Sequence, residues 1–132
     1  MAAQYHLVKV KDFLHGIHSG KPDYEEAMQL LLHLSKLAAP PADYHIMIDM
    51  SGTRGLLSLG EVLRLINVVF RTYADSFQNK VAMVHSPTDY DRQKRARMIK
   101  DILKHHGIEM NVFTSQDAAV RWFQDVTEME AD

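Results

Sequence analysis

The feature of this sequence that most constrains its fold is an alternation of short β-type segments with stretches that carry apolar residues at helical spacing. From residue 13 onward, one such strand and one such helix recur roughly every 25–30 residues. Units of this length join parallel strands through right-handed crossovers. The sequence therefore predicts an α/β fold with a single, mainly parallel β-sheet and crossover helices. We expect one domain over residues 1–132, with an acidic tail, residues 127–132, that frays.

The first part of the chain is predicted to form a β-hairpin followed by a helix. Tyr5–Val10 and Phe13–His18 carry β-type residues in partial alternation. Asp23, with Glu26 three residues later, has the spacing of a capping box that starts a helix. Pro40 ends this helix, because proline has no amide hydrogen and restricts the residue before it.

The central part of the chain is predicted to form a buried strand and a long helix. His45–Met50 is short and apolar, and Ser51–Gly52 predicts the turn that ends it. The helix that follows runs to about Asp75. Its predicted apolar face contains Leu59, Val62, Leu63, Ile66, Val69, Phe70 and Tyr73. Leu65 and Val68 lie off this face and predict either deeper burial or a contact with a second copy, which would make a homodimer.

The last part of the chain is predicted to form two strands and two helices. Lys80–His85 and Glu109–Thr114 have the composition of short strands. The helix between them is expected to begin at Asp89 and to end at Gly107, a residue type that commonly follows helix ends. Ser115 is expected to cap the final helix.

Composition excludes several classes of protein. The net charge is −2, so the chain has no global field that would draw it to nucleic acid. It has no cysteine, and no apolar run approaches the ~18 residues of a membrane span. The start shows no signal-peptide pattern. We expect a cytoplasmic protein without nucleic-acid binding or integral membrane association, and with no cofactor, because glycine-rich phosphate-binding motifs are missing.

The segment Asp49–Gly60 carries a resemblance to a known family. An apolar strand that ends in aspartate is followed by Ser51–Gly52 and, seven residues later, by Ser58–Gly60 at the start of a helix. This pattern resembles the phosphoacceptor loop of STAS domains such as anti-anti-sigma factors. The resemblance implies that Ser58 occupies the position of the phosphorylated serine.

The pattern of the whole chain is most similar to the SpoIIAA-like group, which is classed with STAS and CRAL-TRIO lipid-transfer domains. Asp89–Asp91 and Ala119–Phe123 resemble the helix start and the terminal helix of that group. Two positions depart from the STAS motif: Leu57 replaces the usual aspartate, and Leu59 replaces a common second serine. The resemblance implies the fold and no established activity.

Ser58 also has a structural interpretation. With Glu61 three residues later, it forms a capping box that stabilises a helix by about 1 kcal/mol. As a phosphoacceptor it would place an anion at a helix N-terminus, where the dipole is favourable, and Arg54 is the nearby basic residue. The two roles are compatible.

We expect a non-catalytic regulatory or interaction module of the STAS type that recognises a protein partner through the loop 51–60 and the following helix. Ligands of open α/β sheets collect at the carboxyl ends of strands, where this loop lies. The residues expected to take part are Asp49, Ser51, Thr53, Arg54, Leu56, Leu57 and Ser58. The alternative is a carrier of a small apolar or lipid ligand in a closed cavity between sheet and helices, on the order of several hundred Å³.

The helix that begins at Asp89 is predicted to present a basic outer face. The residues of this basic face are Arg92, Lys94, Arg95, Arg97 and Lys100. The simplest interpretation is a solvated helix surface, since apolar residues such as Ala96 and Ile99 can face the sheet. The alternative is a contact for an acidic partner, a phosphate or a lipid headgroup.

Signals for a metal site or for catalysis are weak. His15 and His18 have a usable spacing, but a zinc site needs three or four converging ligands and no third is visible, so no metal site is predicted. A hydrolase would require Asp49, Ser58 and His85, each at or after the end of a predicted strand, to converge. No nucleophile elbow is present, and no catalytic residue is predicted.

Overall fold

The computed structural model describes residues 4–10, 13–21, 23–40, 42 and 44–131, of which residues 4–10 and 125–131 are described by their backbone only. Within these residues, five strands form one sheet in chain order, with the first pair antiparallel and the others parallel. The strands are β1 Gln4–Val10, β2 Phe13–Gly20, β3 His45–Thr53, β4 Val81–Val84 and β5 Met110–Phe113. The helices are α1 Tyr24–Ala38, α2 Leu59–Leu65, α3 Tyr90–His105 and α4 Gln116–Ala131. The predicted hairpin and the predicted α/β fold with a mainly parallel sheet are confirmed.

The sheet is covered on both faces, because side chains of the buried strands alternate between them. Ile46 and Ile48 of β3 belong to the larger apolar cluster, together with residues of α1, α2 and α3. Met47, which lies between them, belongs to a smaller cluster with Ala119 and Phe123 of α4. Helices α1, α2 and α3 therefore pack on one face, here called the main face, and α4 packs on the other.

Strand β3 is longer than predicted, and the turn expected at Ser51–Gly52 is wrong. The strand continues to Thr53 because Gly52 pairs with Ser19 of β2 and Thr53 pairs with Gly20, beyond a register shift in β2. A Cβ at position 52 would lie 3.2 Å from the Ser19 Cβ, so the absence of a side chain on Gly52 allows this close approach. The loop that leaves the sheet is consequently short and spans residues 54–58.

The long helix predicted after this loop is interrupted. Helix α2 passes into a π-helical turn over Ile66–Phe70, and a 3-10 turn follows at Ala74–Phe77. The buried residues are Val62, Leu65, Ile66, Val69 and Phe70. The assignment of Leu59, Leu63 and Tyr73 to the core face is therefore wrong, and Leu65 belongs to the core.

The exposure of these three residues has two physical causes. The buried residues of α2 and the π-helical turn recur three and four positions apart, and Leu59 and Leu63 fall at the edge of that stripe, with 43% and 39% of their surface exposed. The π-helical turn has a wider repeat than an α-helix, which takes Tyr73 out of phase with the core. Because Leu65 is buried, only the exposed Val68 still supports a contact with a second copy. The homodimer stays a prediction.

The predicted caps at Asp23 and Ser115 and the predicted stop at Gly107 are confirmed. The Asp23 side chain accepts a hydrogen bond from the Glu26 amide at 3.1 Å, and the Ser115 hydroxyl accepts one from the Ala118 amide at 3.2 Å. Gly107 ends α3 with a φ of 77°, a conformation that costs little without a Cβ. The fraying of residues 127–132 stays a prediction, since their side chains lie outside the described set. None of the helices among the described residues is long and apolar enough to cross a membrane.

Candidate functional site

Buried polar side chains meet at the edge of the sheet where β2, β3 and β4 end. His18, Thr53 and His85 come from these three strand ends, and Arg92 comes from the first turn of α3. Each of the four has 5% or less of its surface exposed. Such burial is unusual for these residue types unless their polar atoms are satisfied, so each group needs an account of its partners.

His18 is fixed by Thr53. The Thr53 hydroxyl donates to the His18 carbonyl oxygen at 3.1 Å, and its oxygen lies 2.9 Å from His18 Nδ1. Because the single hydroxyl hydrogen is used on the carbonyl, Nδ1 is the donor in the second contact. Nε2 of the neutral ring is then an acceptor, and it is buried with no hydrogen-bond partner among the described residues. Burial, with a contribution from the Arg92 cation, lowers the pKa of His18.

His85 is buried with both ring nitrogens unpaired within the described part of the chain. Burial and the neighbouring Arg92 cation lower the pKa of His85 to about 4, against a smaller opposing effect of Asp89 and Asp49. The ring is therefore neutral at neutral pH, with one nitrogen able to donate and the other able to accept.

Arg92 lies inside the protein, so its assignment to the exposed basic face is wrong. It belongs to the same stripe of α3 as Ala96, Ile99 and Leu103, at a spacing of four, three and four residues that faces the sheet. Its Nε donates to Asp89 Oδ2 at 3.2 Å, and its amide donates to Asp89 Oδ1 at 3.1 Å. Nη2 is buried and has no partner among the described residues.

The rest of the predicted basic face divides into two groups. Lys94, Arg97 and Lys100 are exposed, as predicted. Arg95 is half-buried, and its Nη1 donates to the Leu57 carbonyl oxygen at 2.8 Å. Arg95 therefore ties α3 to the loop 54–58.

A cavity of about 140 Å³ lies beneath this loop, between the main face of the sheet and its helices. Most of its wall is apolar and includes Leu30, Val62 and Ile66. Its polar wall consists of His18, His85, Arg92 and Arg95, and no carboxylate is among the described side chains that line it. The cavity predicted for a lipid carrier was several times larger.

The loop 54–58 separates the two leucines that the sequence grouped together. Leu56 has 42% of its surface exposed, whereas Leu57 is half-buried and packs against the core. Both also line the cavity. The exposed residue Arg54 starts the loop, and its amide donates to the Gly20 carbonyl oxygen at 2.9 Å.

Ser58 caps helix α2 as predicted. Its hydroxyl accepts from the Glu61 amide at 3.2 Å, and the Glu61 carboxylate accepts from the Ser58 amide at 3.1 Å. Both bonds of the capping box are therefore present. Phosphorylation of Ser58 stays a prediction.

Asp49 and Ser51 belong to the opposite face of the sheet. Asp49 Oδ1 accepts from the amide and the hydroxyl of Ser51 at 2.9 and 2.6 Å, and Oδ2 accepts from the Gln116 side chain of α4. Burial opposes ionisation, but these hydrogen bonds and the nearby His15 hold the pKa of Asp49 below its ordinary value. The carboxylate thus ties β3 to the start of α4.

This placement separates the residues of the weak hydrolase hypothesis. Asp49 lies on the α4 face, His85 lines the cavity on the main face, and Ser58 is exposed at the start of α2. His15 and His18 are separated in the same way, because His15 interacts with Asp49 while His18 faces the cavity. Among the described residues, no three histidine, aspartate or glutamate side chains converge as a metal site would require.

The surface above the cavity carries a leucine patch, defined here as Leu56, Leu59 and Leu63. Leu59 and Leu63 are one helical turn apart on α2, and each of the three has about 40% of its surface exposed. Arg54 and Arg64 are exposed beside the patch, and the Arg64 guanidinium lies 5.4 Å from the centre of the Tyr24 ring. Side chains of this type at an exposed helix edge are typical of contact surfaces.

Comparison with known proteins supports the fold. No protein-family model and no curated protein matches the chain. An uncharacterised protein from the DUF3478 family with a SpoIIAA-like fold, from Shewanella loihica, is 20% identical and has a TM-score of 0.60, over 92% of this chain and 93% of its own. An anti-sigma factor antagonist from Mycobacterium paratuberculosis is 14% identical and has a TM-score of 0.63, over 93% of this chain and 95% of its own.

These similarities show the fold and leave the activity open. The SpoIIAA-like fold inferred from the resemblance of Asp49–Gly60 and of the whole chain is confirmed. The buried cluster of His18, His85 and Arg92 was missed in the sequence. The signal was present in the spacing of Arg92 from Ala96, which puts the arginine on the apolar stripe of α3.

Proposed function

We propose that the protein is a non-catalytic regulatory module of the STAS type, and that it binds a protein partner through the loop 54–58 and the first turns of α2. The observation that carries the proposal is the leucine patch, Leu56, Leu59 and Leu63, which is exposed at the carboxyl edge of a parallel sheet. Loops at this edge are where open α/β folds place their recognition sites.

The energetics of the patch favour a macromolecular contact. Complete burial of a leucine side chain is worth about 1.5–3 kcal/mol. Since each patch leucine has about 40% of its surface exposed, covering all three would contribute roughly 2–4 kcal/mol. A few anchor side chains of this kind commonly supply most of the free energy of an interface.

The charges around the patch favour a partner with an acidic rim. Arg54 and Arg64 are exposed, and the Glu61 carboxylate is engaged in the capping box. Complementary charges at the rim of an interface steer association and select partners. The similar structure that is named an anti-sigma factor antagonist acts, by its name, on a protein, which supports a protein as the occupant here.

The alternative function is a carrier of an apolar or lipid ligand, and the size of the cavity limits which ligands it could hold. At about 140 Å³ the cavity is close to an engineered protein cavity of about 150 Å³ that binds benzene. A full acyl chain does not fit this volume. The cavity therefore favours a small ligand, and lipid transfer has no support from its dimensions.

The test is site-specific photo-crosslinking in cells of the native host. Leu59 is replaced by p-benzoylphenylalanine in one variant, and Met98, which has 44% of its surface exposed on α3, is replaced in the control. We expect illumination to attach one protein to the Leu59 variant and not to the Met98 variant. Equal products from both positions, attachment only to a second copy of the chain, or no product at Leu59 would contradict the proposal.

A further inference from the structure

The cavity contains a set of buried polar atoms that the protein itself leaves unpaired. The polar cluster, defined as His18, His85 and Arg92, contributes His18 Nε2, both ring nitrogens of His85 and Arg92 Nη2, and each lacks a hydrogen-bond partner among the described residues. Unpaired buried polar atoms are rare in native proteins because desolvation is then uncompensated. Their concentration at one end of a single cavity indicates a place for polar groups of a ligand.

The charge of the cavity wall favours an anion. Two guanidinium groups line it, those of Arg92 and Arg95, and no carboxylate is among the described lining residues. Asp89 pairs with the Nε side of Arg92 and leaves Nη2 unused. Of the four unpaired atoms, Arg92 Nη2 and one nitrogen of His85 are donors, and a planar group with two acceptor oxygens matches these two. The other two, His18 Nε2 and the second His85 nitrogen, are acceptors that a carboxylate does not use.

The remainder of the wall favours a small apolar body. Leu30, Val62, Ile66, Phe70 and Leu103 line the cavity, and each has 8% or less of its surface exposed. A volume of about 140 Å³ holds a group the size of a benzene ring or a short aliphatic chain.

We propose that this cavity binds a small amphipathic carboxylate of roughly six to nine non-hydrogen atoms. The carboxylate accepts hydrogen bonds from Arg92 Nη2 and from His85, and the apolar body lies against the apolar side chains of α1, α2 and the π-helical turn. Helix α2 also carries Leu59 and Leu63 of the patch on its outer side, so the ligand lies directly beneath the proposed partner surface. The inference rests on the cavity and does not depend on the partner proposal.

The test is calorimetric titration of the purified full chain with defined probes. Hexanoate and benzoate carry the carboxylate on a body that fits, and hexanamide has the same shape without the charge. Dodecanoate has the same headgroup with a body that is too long, and inorganic phosphate has the charge without the body. We expect 1:1 binding of hexanoate or benzoate with a Kd below about 1 mM, and hexanamide at least about tenfold weaker. Dodecanoate and phosphate should not bind.

Two variants and one control locate the site. Arg92→Met keeps the bulk of the side chain and removes the donor, so it should weaken carboxylate binding by at least about tenfold. Ala27→Leu fills part of the cavity from α1 and leaves the polar cluster intact, so it should weaken binding by a similar factor. Lys94→Met removes an exposed cation from the same helix and should leave the Kd unchanged within about twofold.

Three results would overturn the proposal. The first is no binding of hexanoate or benzoate up to about 10 mM. The second is equal affinity for hexanoate and hexanamide, because the cationic wall would then contribute nothing. The third is an unchanged Kd for hexanoate or benzoate in the Ala27→Leu variant. If Arg92→Met does not fold, the Ala27→Leu result decides the question by itself.

Discussion

The ion pair between Asp89 and Arg92 can be separated from the helix cap that the same aspartate provides. Asp89→Ser keeps a side-chain oxygen that accepts from the Arg92 amide, but it removes the partner of the guanidinium. The Arg92 side chain has 6% of its surface exposed and that of Asp89 has 33%. Removing one partner of a fully buried ion pair lowers the free energy of unfolding by about 3–5 kcal/mol. Because Asp89 is partly solvated, we expect Asp89→Ser to lower it by roughly 2–3 kcal/mol.

A double-mutant cycle isolates this contribution. In the background of Arg92→Met no buried cation remains, so Asp89→Ser should cost less than about 1 kcal/mol. The coupling free energy between the two positions should therefore be about 2 kcal/mol. Asp91→Ser, a change in the same first turn of α3 at an exposed position, is the matched control and should cost less than about 0.5 kcal/mol.

Urea unfolding at pH 7 measures these differences. With a urea slope of about 1–3 kcal/mol per molar, a loss of 2 kcal/mol shifts the midpoint by roughly 1 M at constant slope. If Asp89→Ser shifted the midpoint no more than Asp91→Ser, the guanidinium of Arg92 would be solvated. Arg92 would then not form part of a buried cationic wall of the cavity.

Three further predictions concern the loop and the cavity. Ser58→Ala should lower the free energy of unfolding by about 0.5–2 kcal/mol and Ser58→Asp by much less, and equal losses in urea would argue against the cap. Leu57→Ser should lower the free energy of unfolding by about 1–2 kcal/mol, because this leucine packs against the core. Leu56→Ser should change the melting temperature little, because Leu56 is exposed. Equal effects of the two substitutions would mean that the loop is packed differently. Burial lowers the pKa of His85 to about 4, so the unfolded chain binds more protons than the folded one between pH ~6.5 and ~4. The free energy of unfolding should therefore fall as the pH drops through this window, by up to roughly 3 kcal/mol. His85→Leu should flatten the dependence of stability on pH. An equally steep dependence in the variant would assign the loss to other groups.

The parts of the fold that depend on local pattern could be predicted from the sequence. The capping box at Ser58, the cap at Asp23 and the stop at Gly107 each depend on residues within a few positions of one another. The extension of β3 to Thr53 could not be predicted, because it depends on pairing with β2 across a register shift. A side chain at position 52 would meet Ser19, a contact that only the folded sheet creates.

The candidate site was predicted in outline and missed in its buried part. The loop after β3 is at the expected edge of the sheet, but its two leucines have different environments, since Leu57 packs inward while Leu56 is exposed. The sequence predicts Arg92 on the solvent side of α3, because apolar residues such as Ala96 and Ile99 can face the sheet and leave the basic residues outside. The spacing of Arg92 from Ala96 places it on the apolar stripe of α3, but the Asp89 side chain that pairs with the buried guanidinium is identified only in the folded helix.

The most direct test of the proposed partner surface is the affinity of the crosslinked partner for purified variants of the full chain. Leu59→Ser combined with Leu63→Ser removes two of the three patch leucines, and Leu37→Ser combined with Met98→Ser removes two apolar side chains of equal exposure elsewhere. If each patch leucine contributes about 1 kcal/mol, the patch variant should bind roughly 30-fold more weakly, with the control within about twofold of wild type. Equal dissociation constants for the patch variant and the control would contradict recognition through α2.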